Sequence, residues 1–137
     1  EIKASSEITE KLNIKENEIL IKMERLRLIN DKPFIWEEVH LPKKQCPNLT
    51  KNQVENNSLY QVLENEYYYS LNYAEATVEP VLLNGEIASL LEVGENTMGL
   101  LFNQTTYLDS GEPIEYTRAY YQSEQYKFKF KFGEKID

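Results

Sequence analysis

The sequence predicts an α+β domain, in which short helices pack on an antiparallel sheet of five to six strands. Segments with alternating apolar and polar residues recur along the chain, and turn-forming residues separate them. Only short stretches between these segments have helical spacing. The length of 137 residues and the hydrophobic content of 41% suit a single domain with its own core.

The first part of the chain is predicted to be a helix followed by a hairpin. Ser5 or Ser6 can cap a helix that ends at Leu12, and a strand over residues 19–29 follows. The turn residues Asn-Asp-Lys-Pro at 30–33 then send the chain back. The remaining predicted elements are, in order, a strand over 34–41, a short helix from Thr50, a helix from Ser58, a strand over 71–81, a helix over 84–91, a strand over 98–108 and a last strand region over 114–132.

Charge and cysteine content restrict the function. The net charge of −8, from 15 basic and 23 acidic residues, argues against a nucleic-acid surface on this chain. The single cysteine, Cys46, cannot form an internal disulfide, and no apolar run approaches the length of a membrane span, so a cytoplasmic location is expected. The chain begins Glu-Ile-Lys-Ala without an initiator methionine, which predicts that more chain precedes it.

The first long strand places two arginines on a face whose other residues are apolar. Alternate residues of a strand share a face, and an unpaired buried cation is costly to desolvate. The two guanidinium groups therefore need internal carboxylates or an external anion, and their forked donors match phosphate or carboxylate well. The alternative is an edge strand whose arginines simply reach water. The residues on this face are Ile19, Ile21, Met23, Arg25, Arg27 and Ile29.

Two further positions are candidates for the same site. Glu37 lies on the apolar face of the partner strand, where a three- or five-residue loop would set it opposite Arg27, as a counter-ion or as an acceptor for ligand hydroxyls. Ser58 begins a segment with capping-box spacing, and a helix start that faced the arginines would complete a phosphate site. Ordinary capping is the alternative for Ser58.

The last strand region carries a second group of candidates. Glu115, Thr117, Ala119 and Tyr121 share one face, and a carboxylate beside a phenol suits a polyol ligand. The alternative is a surface acid beside a core tyrosine. Aromatic residues and lysines alternate over 126–132, which predicts a half-buried strand and weighs against a nucleic-acid ribbon, because the two residue types would point to opposite faces.

Catalytic and metal-binding patterns are weak. The only histidine and the only cysteine are His40, at a strand end, and Cys46, in a polar connection, so a thiol enzyme is disfavoured. No His/Cys cluster and no glycine-rich phosphate loop is present in the sequence, so neither a metal site nor a cofactor is predicted.

A series of short motifs occurs in order along nearly the whole chain. The series comprises Arg-Leu-Arg at 25–27, the Asp-Lys-Pro turn with Glu37 after it, Leu41-Pro42, Ser-Leu-Tyr at 58–60, Leu90-Leu91, the run from Thr106 to Tyr116, and Tyr126-Lys127-Phe128. In this order the motifs resemble the UTRA domain, the effector-binding and dimerisation half of HutC-type GntR transcriptional regulators.

The resemblance implies a chorismate-lyase-like fold over residues 1–137, and an N-terminal winged-helix DNA-binding domain outside this chain. It implies a homodimer without catalytic residues, which contacts DNA only through that missing domain and whose ligand occupancy changes operator affinity. In members that bind sugar phosphates, the equivalents of three residues hold the phosphate, namely Arg25, Arg27 and Ser58. The equivalents of four others line the sugar side, namely Glu37, Tyr60, Glu115 and Tyr121.

The chain departs from the family where members often carry positive charges, at Gln104 and over residues 122–126. The expected effector is a sugar phosphate-like anion. Two alternatives stay open. A lyase on the same fold would use Arg27 and Glu115 for substrate carboxylate and proton transfer, and a dimerisation module without a ligand would account for the missing charges.

Overall fold

The computed structural model describes residues 1–123 and 127–129, and one six-stranded antiparallel sheet forms its centre. The order across the sheet is β1-β2-β3-β6-β5-β4, and each neighbouring pair is antiparallel. The predicted α+β class is therefore confirmed. The strands are β1 (Ile2–Lys3), β2 (Ile19–Ile29), β3 (Lys32–Pro42), β4 (Leu71–Leu83), β5 (Thr97–Leu108) and β6 (Pro113–Gln122).

Short helices lie on both faces of the sheet, and a single 3-10 turn, Lys43–Gln45, follows β3. One face, which we call the α3 face, is covered by α2 and α3. The opposite face, the α1 face, is covered by α1 and α4. No helix in the described residues is long and apolar enough to cross a membrane. The helices are α1 (Ser6–Leu12), α2 (Lys51–Glu55), α3 (Leu59–Asn65) and α4 (Gly85–Leu90).

The two faces have separate apolar cores. On the α1 face, Leu12 of α1 packs with Leu20 and Tyr116 of the sheet, and a second cluster forms around Leu83 and α4. The core of the α3 face is larger and joins the sheet to α2, α3 and the connection before them. Its buried members are Val39, Leu41, Cys46, Val54, Leu59, Val62, Leu63, Leu108 and Ile114.

The β2–β3 hairpin differs from the prediction in its register. Only Asn30 and Asp31 form the loop, and both have positive φ, 50° and 63°, as a two-residue hairpin turn requires. A bulge between Arg27 and Leu28 then shifts the register by one residue. As a result Glu37 pairs with Arg25 instead of the predicted Arg27. The shift is two residues, so Glu37 keeps its predicted face.

The helix starts also differ from the prediction. Ser58 occupies the N-cap position of α3, but its side chain makes no capping hydrogen bond, so the predicted capping box is wrong. The capping box belongs to α2, where Thr50 accepts from the Gln53 backbone N–H and the Gln53 side chain accepts from the Thr50 backbone N–H. Helix α1 ends as predicted, with Asn13 in the left-handed conformation (φ 49°).

Both ends of the sheet depart from the expected strands. The two-residue strand β1 was not predicted, and it pairs with the start of β2. Strand β6 ends at Gln122, so the prediction of a strand at residues 127–129 is wrong, and residues 126 and 130–132 lie outside the described residues. Phe128 instead packs against Tyr121 of β6, with ring centroids 5.3 Å apart.

Candidate ligand-binding site

A cavity of about 180 Å³ opens on the α3 face, where strands β2, β3, β5 and β6 meet the start of α3. A second cavity of about 870 Å³ adjoins it and shares Arg25, Arg27 and Ser58. Small-molecule sites commonly occupy about 300–1,000 Å³, so a ligand needs both cavities or part of the larger one. The first cavity brings together all seven predicted site residues, namely Arg25, Arg27, Glu37, Ser58, Tyr60, Glu115 and Tyr121.

Arginine side chains form one end of the cavity. Arg25 Nε lies 2.7 Å and Arg27 Nε 3.1 Å from the same oxygen, Glu37 Oε1. Only Arg27 donates a hydrogen bond to this oxygen. The Arg25 Nε–H is not aligned with it and has no hydrogen-bond partner among the described residues. One carboxylate thus faces two guanidinium groups, which leaves an excess positive charge at this end.

The two arginines differ in exposure. The side chain of Arg25 is 24% exposed and that of Arg27 is 53% exposed, while Glu37 is 11% exposed. Both sequence interpretations are therefore partly right: Glu37 is an internal counter-ion, and Arg27 reaches water. Ser58 lies at the mouth of both cavities, and its hydroxyl makes no capping bond. A ligand that entered here would meet two guanidinium groups and a hydroxyl.

A buried carboxyl group lies on another wall of the cavity. Glu115 is 4% exposed, and Thr117 Oγ1 donates a short hydrogen bond to its Oε1. Its Oε2 has no hydrogen-bond partner among the described residues. Burial raises the pKa of Glu115, and the nearby charge of Glu37 raises it further. The unpartnered oxygen can accept a hydrogen bond from a ligand hydroxyl or amide, or donate one when it is protonated.

A phenol and an amide join α3 to β5 beside this carboxyl. Gln104 Nε2 donates to Tyr60 Oη over 2.8 Å, and Tyr60 Oη lies 3.2 Å from Thr106 Oγ1. Burial raises the pKa of Tyr60, so the phenol keeps its proton at neutral pH. Burial also raises the pKa of Tyr121, whose ring packs against that of Phe102 at 4.7 Å. Both phenols remain available as neutral hydrogen-bonding groups.

Sequence reasoning missed part of the cavity wall. Phe102 and Gln104 of β5 line it, as does Leu59 of α3. The signal was available: alternation puts residues 102 and 104 of β5 on one face, and the turn residues over 109–113 predict that β5 and β6 pair as a hairpin. Gln104 was noted only as a departure from the family.

The only histidine and the only cysteine lie apart from the cavity. Cys46 belongs to the core of the α3 face, and burial raises the pKa of its thiol to about 11. His40 is on the opposite face, with Nδ1 3.3 Å from the Tyr116 carbonyl oxygen, and burial lowers its pKa. A thiol at that pKa carries almost no thiolate at neutral pH, and the imidazole faces away from it, so the pair has no geometry for nucleophilic catalysis.

Together, the sheet, the helices on one face and the cavity between them define an α+β domain with a candidate ligand-binding cavity. The chain belongs to the UTRA domain family, whose model matches residues 1–127. It is a UTRA domain of the kind that GntR-family transcriptional regulators carry, as the relatives below bear out.

Two relatives are transcriptional repressors. The HTH-type transcriptional repressor NagR of Bacillus subtilis (strain 168) is 29% identical over 107 residues, which are 78% of this chain and 44% of NagR. The mannosyl-D-glycerate transport/metabolism system repressor MngR of Escherichia coli (strain K12) is 28% identical over 127 residues, which are 93% of this chain and 52% of MngR. The chain therefore spans about half the length of these relatives.

A solved structure has the same fold over nearly its whole length. The GntR-family transcriptional regulator from Enterococcus faecalis V583 superposes with a TM-score of 0.90 at 27% identity. The match covers 96% of this chain and 94% of that chain. The fold of this chain is therefore that of a regulator domain.

Proposed function

We propose that this domain binds a small anionic metabolite, a phosphorylated sugar or amino sugar, and that occupancy is transmitted to an attached DNA-binding domain. The observation that carries the proposal is the pairing of two arginines with one carboxylate oxygen at one end of the cavity. An incoming phosphate or carboxylate would neutralise the excess charge and accept hydrogen bonds from the guanidinium groups.

The remainder of the cavity supports a hydroxyl-rich ligand. Glu115 Oε2 has no hydrogen-bond partner in the described part of the chain, and the Tyr60 and Tyr121 phenols line the same space. Hydroxyl groups both donate and accept hydrogen bonds, so a sugar can satisfy a carboxyl and two phenols at once. MngR is named for a mannosyl-D-glycerate system, and that compound joins a sugar to an acid, as this cavity would require.

Regulation would work by population shift. The ligand binds one arrangement of a homodimer better than another, and its differential affinity repositions the DNA-binding domains. A coupling free energy of about 1–3 kcal/mol is enough for useful control. The naming of NagR and MngR as repressors supports a regulatory role over a catalytic one, and a regulator that meets its operator would act in the cytoplasm.

The test is thermal unfolding of the chain against hexose phosphates, amino-sugar phosphates, the matching free sugars and small carboxylates. A ligand that binds only the folded state adds about 2.7 kcal/mol of stability at a hundred times its dissociation constant. We expect a sugar phosphate to raise the midpoint and its free sugar to leave it unchanged. Loss of a charge-assisted contact costs about 1.5–3 kcal/mol, so Arg25→Ala and Arg27→Ala should each weaken binding about tenfold to a hundredfold.

Arg118→Ala is the matched control, because it removes an arginine from the α1 face of the same sheet. Each variant is compared with its own midpoint without ligand, so a change in basal stability does not affect the result. A folded wild-type chain that responds to no member of the panel would contradict the proposal. An equal loss of response in Arg118→Ala would also contradict it.

A further inference from the structure

Four aromatic rings meet beside the ligand cavity. Phe128 lies against Tyr121, with ring centroids 5.3 Å apart, and against Phe102, with centroids 5.9 Å apart. Phe34 of β3 completes the group, at 6.5 Å from Phe128 and 5.7 Å from Tyr121. These separations lie in the range over which aromatic pairs attract each other. We call Phe34, Phe102, Tyr121 and Phe128 the ring cluster.

The ring cluster joins the cavity wall to a residue outside it. Phe102 of β5 and Tyr121 of β6 line the cavity, and their rings lie 4.7 Å apart. Phe128 does not line the cavity. It lies beyond Gln122, where β6 ends, and is half-buried because its ring packs on both lining rings. Its contact with the cavity is therefore indirect.

We propose that Phe128 is a positioning residue, which fixes the rings of Phe102 and Tyr121 as an apolar wall for the sugar body of the ligand. This inference rests on the proposed function and states what the ligand carries besides its anionic group. Ligand sites are lined mainly by apolar and aromatic side chains, with a few polar groups that fix orientation. A sugar ring has C–H groups that pack on the wall and hydroxyls that reach Tyr60 and Glu115.

The wall lies two strands away from Arg27, on the same face of the sheet. Arg27 pairs with Ile35 of β3, and Ile35 pairs with Tyr121 of β6. Neighbouring strands are about 4.8 Å apart, so the backbones of Arg27 and Tyr121 are about 10 Å apart. A lone phosphate at the guanidinium groups does not extend to the wall, whereas a hexose phosphate has a sugar body that does. The two ligands therefore separate the anion site from the wall.

NMR titration of the whole chain with two probes tests the role of Phe128. The probes are inorganic phosphate and the hexose phosphate that most raises the unfolding midpoint of the wild type. Phe128→Ala should weaken binding of the hexose phosphate about fivefold or more, because the two lining rings lose their contact with a third. It should leave the affinity for inorganic phosphate within about twofold, because Arg25 and Arg27 are unchanged.

Two further variants separate the ring from its bulk. Phe128→Tyr keeps the ring and should bind the hexose phosphate as the wild type does. Phe128→Leu keeps an apolar side chain without a ring, and it is the second variant if Phe128→Ala does not fold. Tyr73→Ala is the matched control, because it removes one ring of the stacked Tyr73–Tyr107 pair, and neither residue lines a cavity described above.

The outcomes decide between a positioning role and a structural one. Weaker binding of the hexose phosphate alone, with recovery in Phe128→Tyr, supports the proposal. Equal weakening of both probes overturns it, because a general loss of structure acts on both. Unchanged binding of the hexose phosphate in Phe128→Ala overturns it as well, and so does an equal loss in Tyr73→Ala.

The ring signals of Tyr121, measured without ligand, keep this inference distinguishable from the proposed function. Isotope labelling of the tyrosine rings makes these signals visible, and Tyr121→Phe assigns them. We expect them to shift in Phe128→Ala and to stay in place in Tyr73→Ala. Unchanged Tyr121 signals in Phe128→Ala overturn the positioning role, whatever the ligand does. A wild-type chain that binds neither probe contradicts the anion site of the proposed function instead.

Discussion

The α3 face of the sheet has two halves, one over β3 and one over β4. Both have alternating apolar residues, but the described helices cover only the half over β3. Over β3, alternate apolar residues are sealed by α2 and α3, and Val39 is 1% exposed while Leu63 of α3 is fully buried. Over β4, alternate apolar residues are open, and Val78 is 50% exposed. Alternation therefore predicts that a strand has an apolar face, but not whether a helix, a ligand or a second chain covers that face.

The largest expected effect comes from truncating a leucine in each half. Leu63→Ala should lower the free energy of unfolding by about 2–5 kcal/mol, because it opens a cavity in the core under α3. Leu82→Ala removes the same atoms from a side chain that is 57% exposed, and should change the stability of the monomer by no more than about 0.5 kcal/mol.

Urea denaturation at two protein concentrations measures both effects. Each variant is compared with the wild type at both concentrations, so that any contribution of self-association to stability appears as a dependence on concentration. A loss of several kcal/mol from Leu82→Ala at the lower concentration would mean that this side chain is covered within the same molecule, and the two halves would then not differ.

A smaller effect is expected where the two faces of β5 are compared. Gly99 points to the α1 face, and a Cβ added there would lie 2.7 Å from the Tyr121 carbonyl oxygen and 2.8 Å from Leu83 side-chain carbons. Gly99→Ala should therefore cost about 1–3 kcal/mol through overpacking, although its neighbour Met98 is exposed. Thermal unfolding measures the loss.

Gly94→Ala is the matched control, because the nearest atom to its added Cβ is Thr97 Oγ1 at 3.9 Å. We expect its midpoint to stay near that of the wild type. Equal stability of Gly99→Ala and Gly94→Ala would show that the sheet shifts to accommodate a methyl group. The space between Gly99, the Tyr121 carbonyl oxygen and Leu83 would then not restrict the size of the residue at position 99.

The faces of the strands could be predicted because they depend on short-range patterns. The seven site residues come from four elements; alternation and a helix start indicated six of them, and Tyr60 was expected only from the resemblance to the family. The predicted pairing of the β2–β3 hairpin was wrong by two residues. The positive φ of Asn30 and Asp31 and the bulge between Arg27 and Leu28 depend on packing that the sequence does not display. An even shift preserves the face, so Glu37 still reached the site.

Other features depended on long-range neighbours and could not be predicted. Strand β1 has only two residues, too few for any alternation to show. The alternating segment at 127–129 matches a strand in sequence, but in the structure Phe128 packs on the rings of Phe34, Phe102 and Tyr121 instead. The cavity also requires that β3 and β6 be neighbours, and no short-range pattern in the sequence shows this pairing.

Glu115 lies at the border of the two halves, and its titration gives the smallest expected effect. It pairs with Thr106 of β5, which pairs with Ala74 of β4. Burial raises its pKa above the ordinary value of 4.5, so the folded chain is favoured when this group is protonated. That stability is fully present below pH 4.5 and is lost as the pH rises through the raised pKa of the folded state.

Glu115→Gln removes this loss and keeps an acceptor for Thr117, so it should raise the thermal midpoint by a few degrees at neutral pH. The gain should shrink as the pH falls toward 4.5, because the wild-type carboxyl is then protonated as well. Glu75→Gln, at an exposed position of β4, is the control and should leave the midpoint unchanged. A gain in midpoint that is constant with pH would mean that packing, and not the charge of Glu115, causes the difference in stability between the wild type and Glu115→Gln. A sugar phosphate that stabilises the wild type but not Glu115→Gln would show that ligand binding requires the carboxyl.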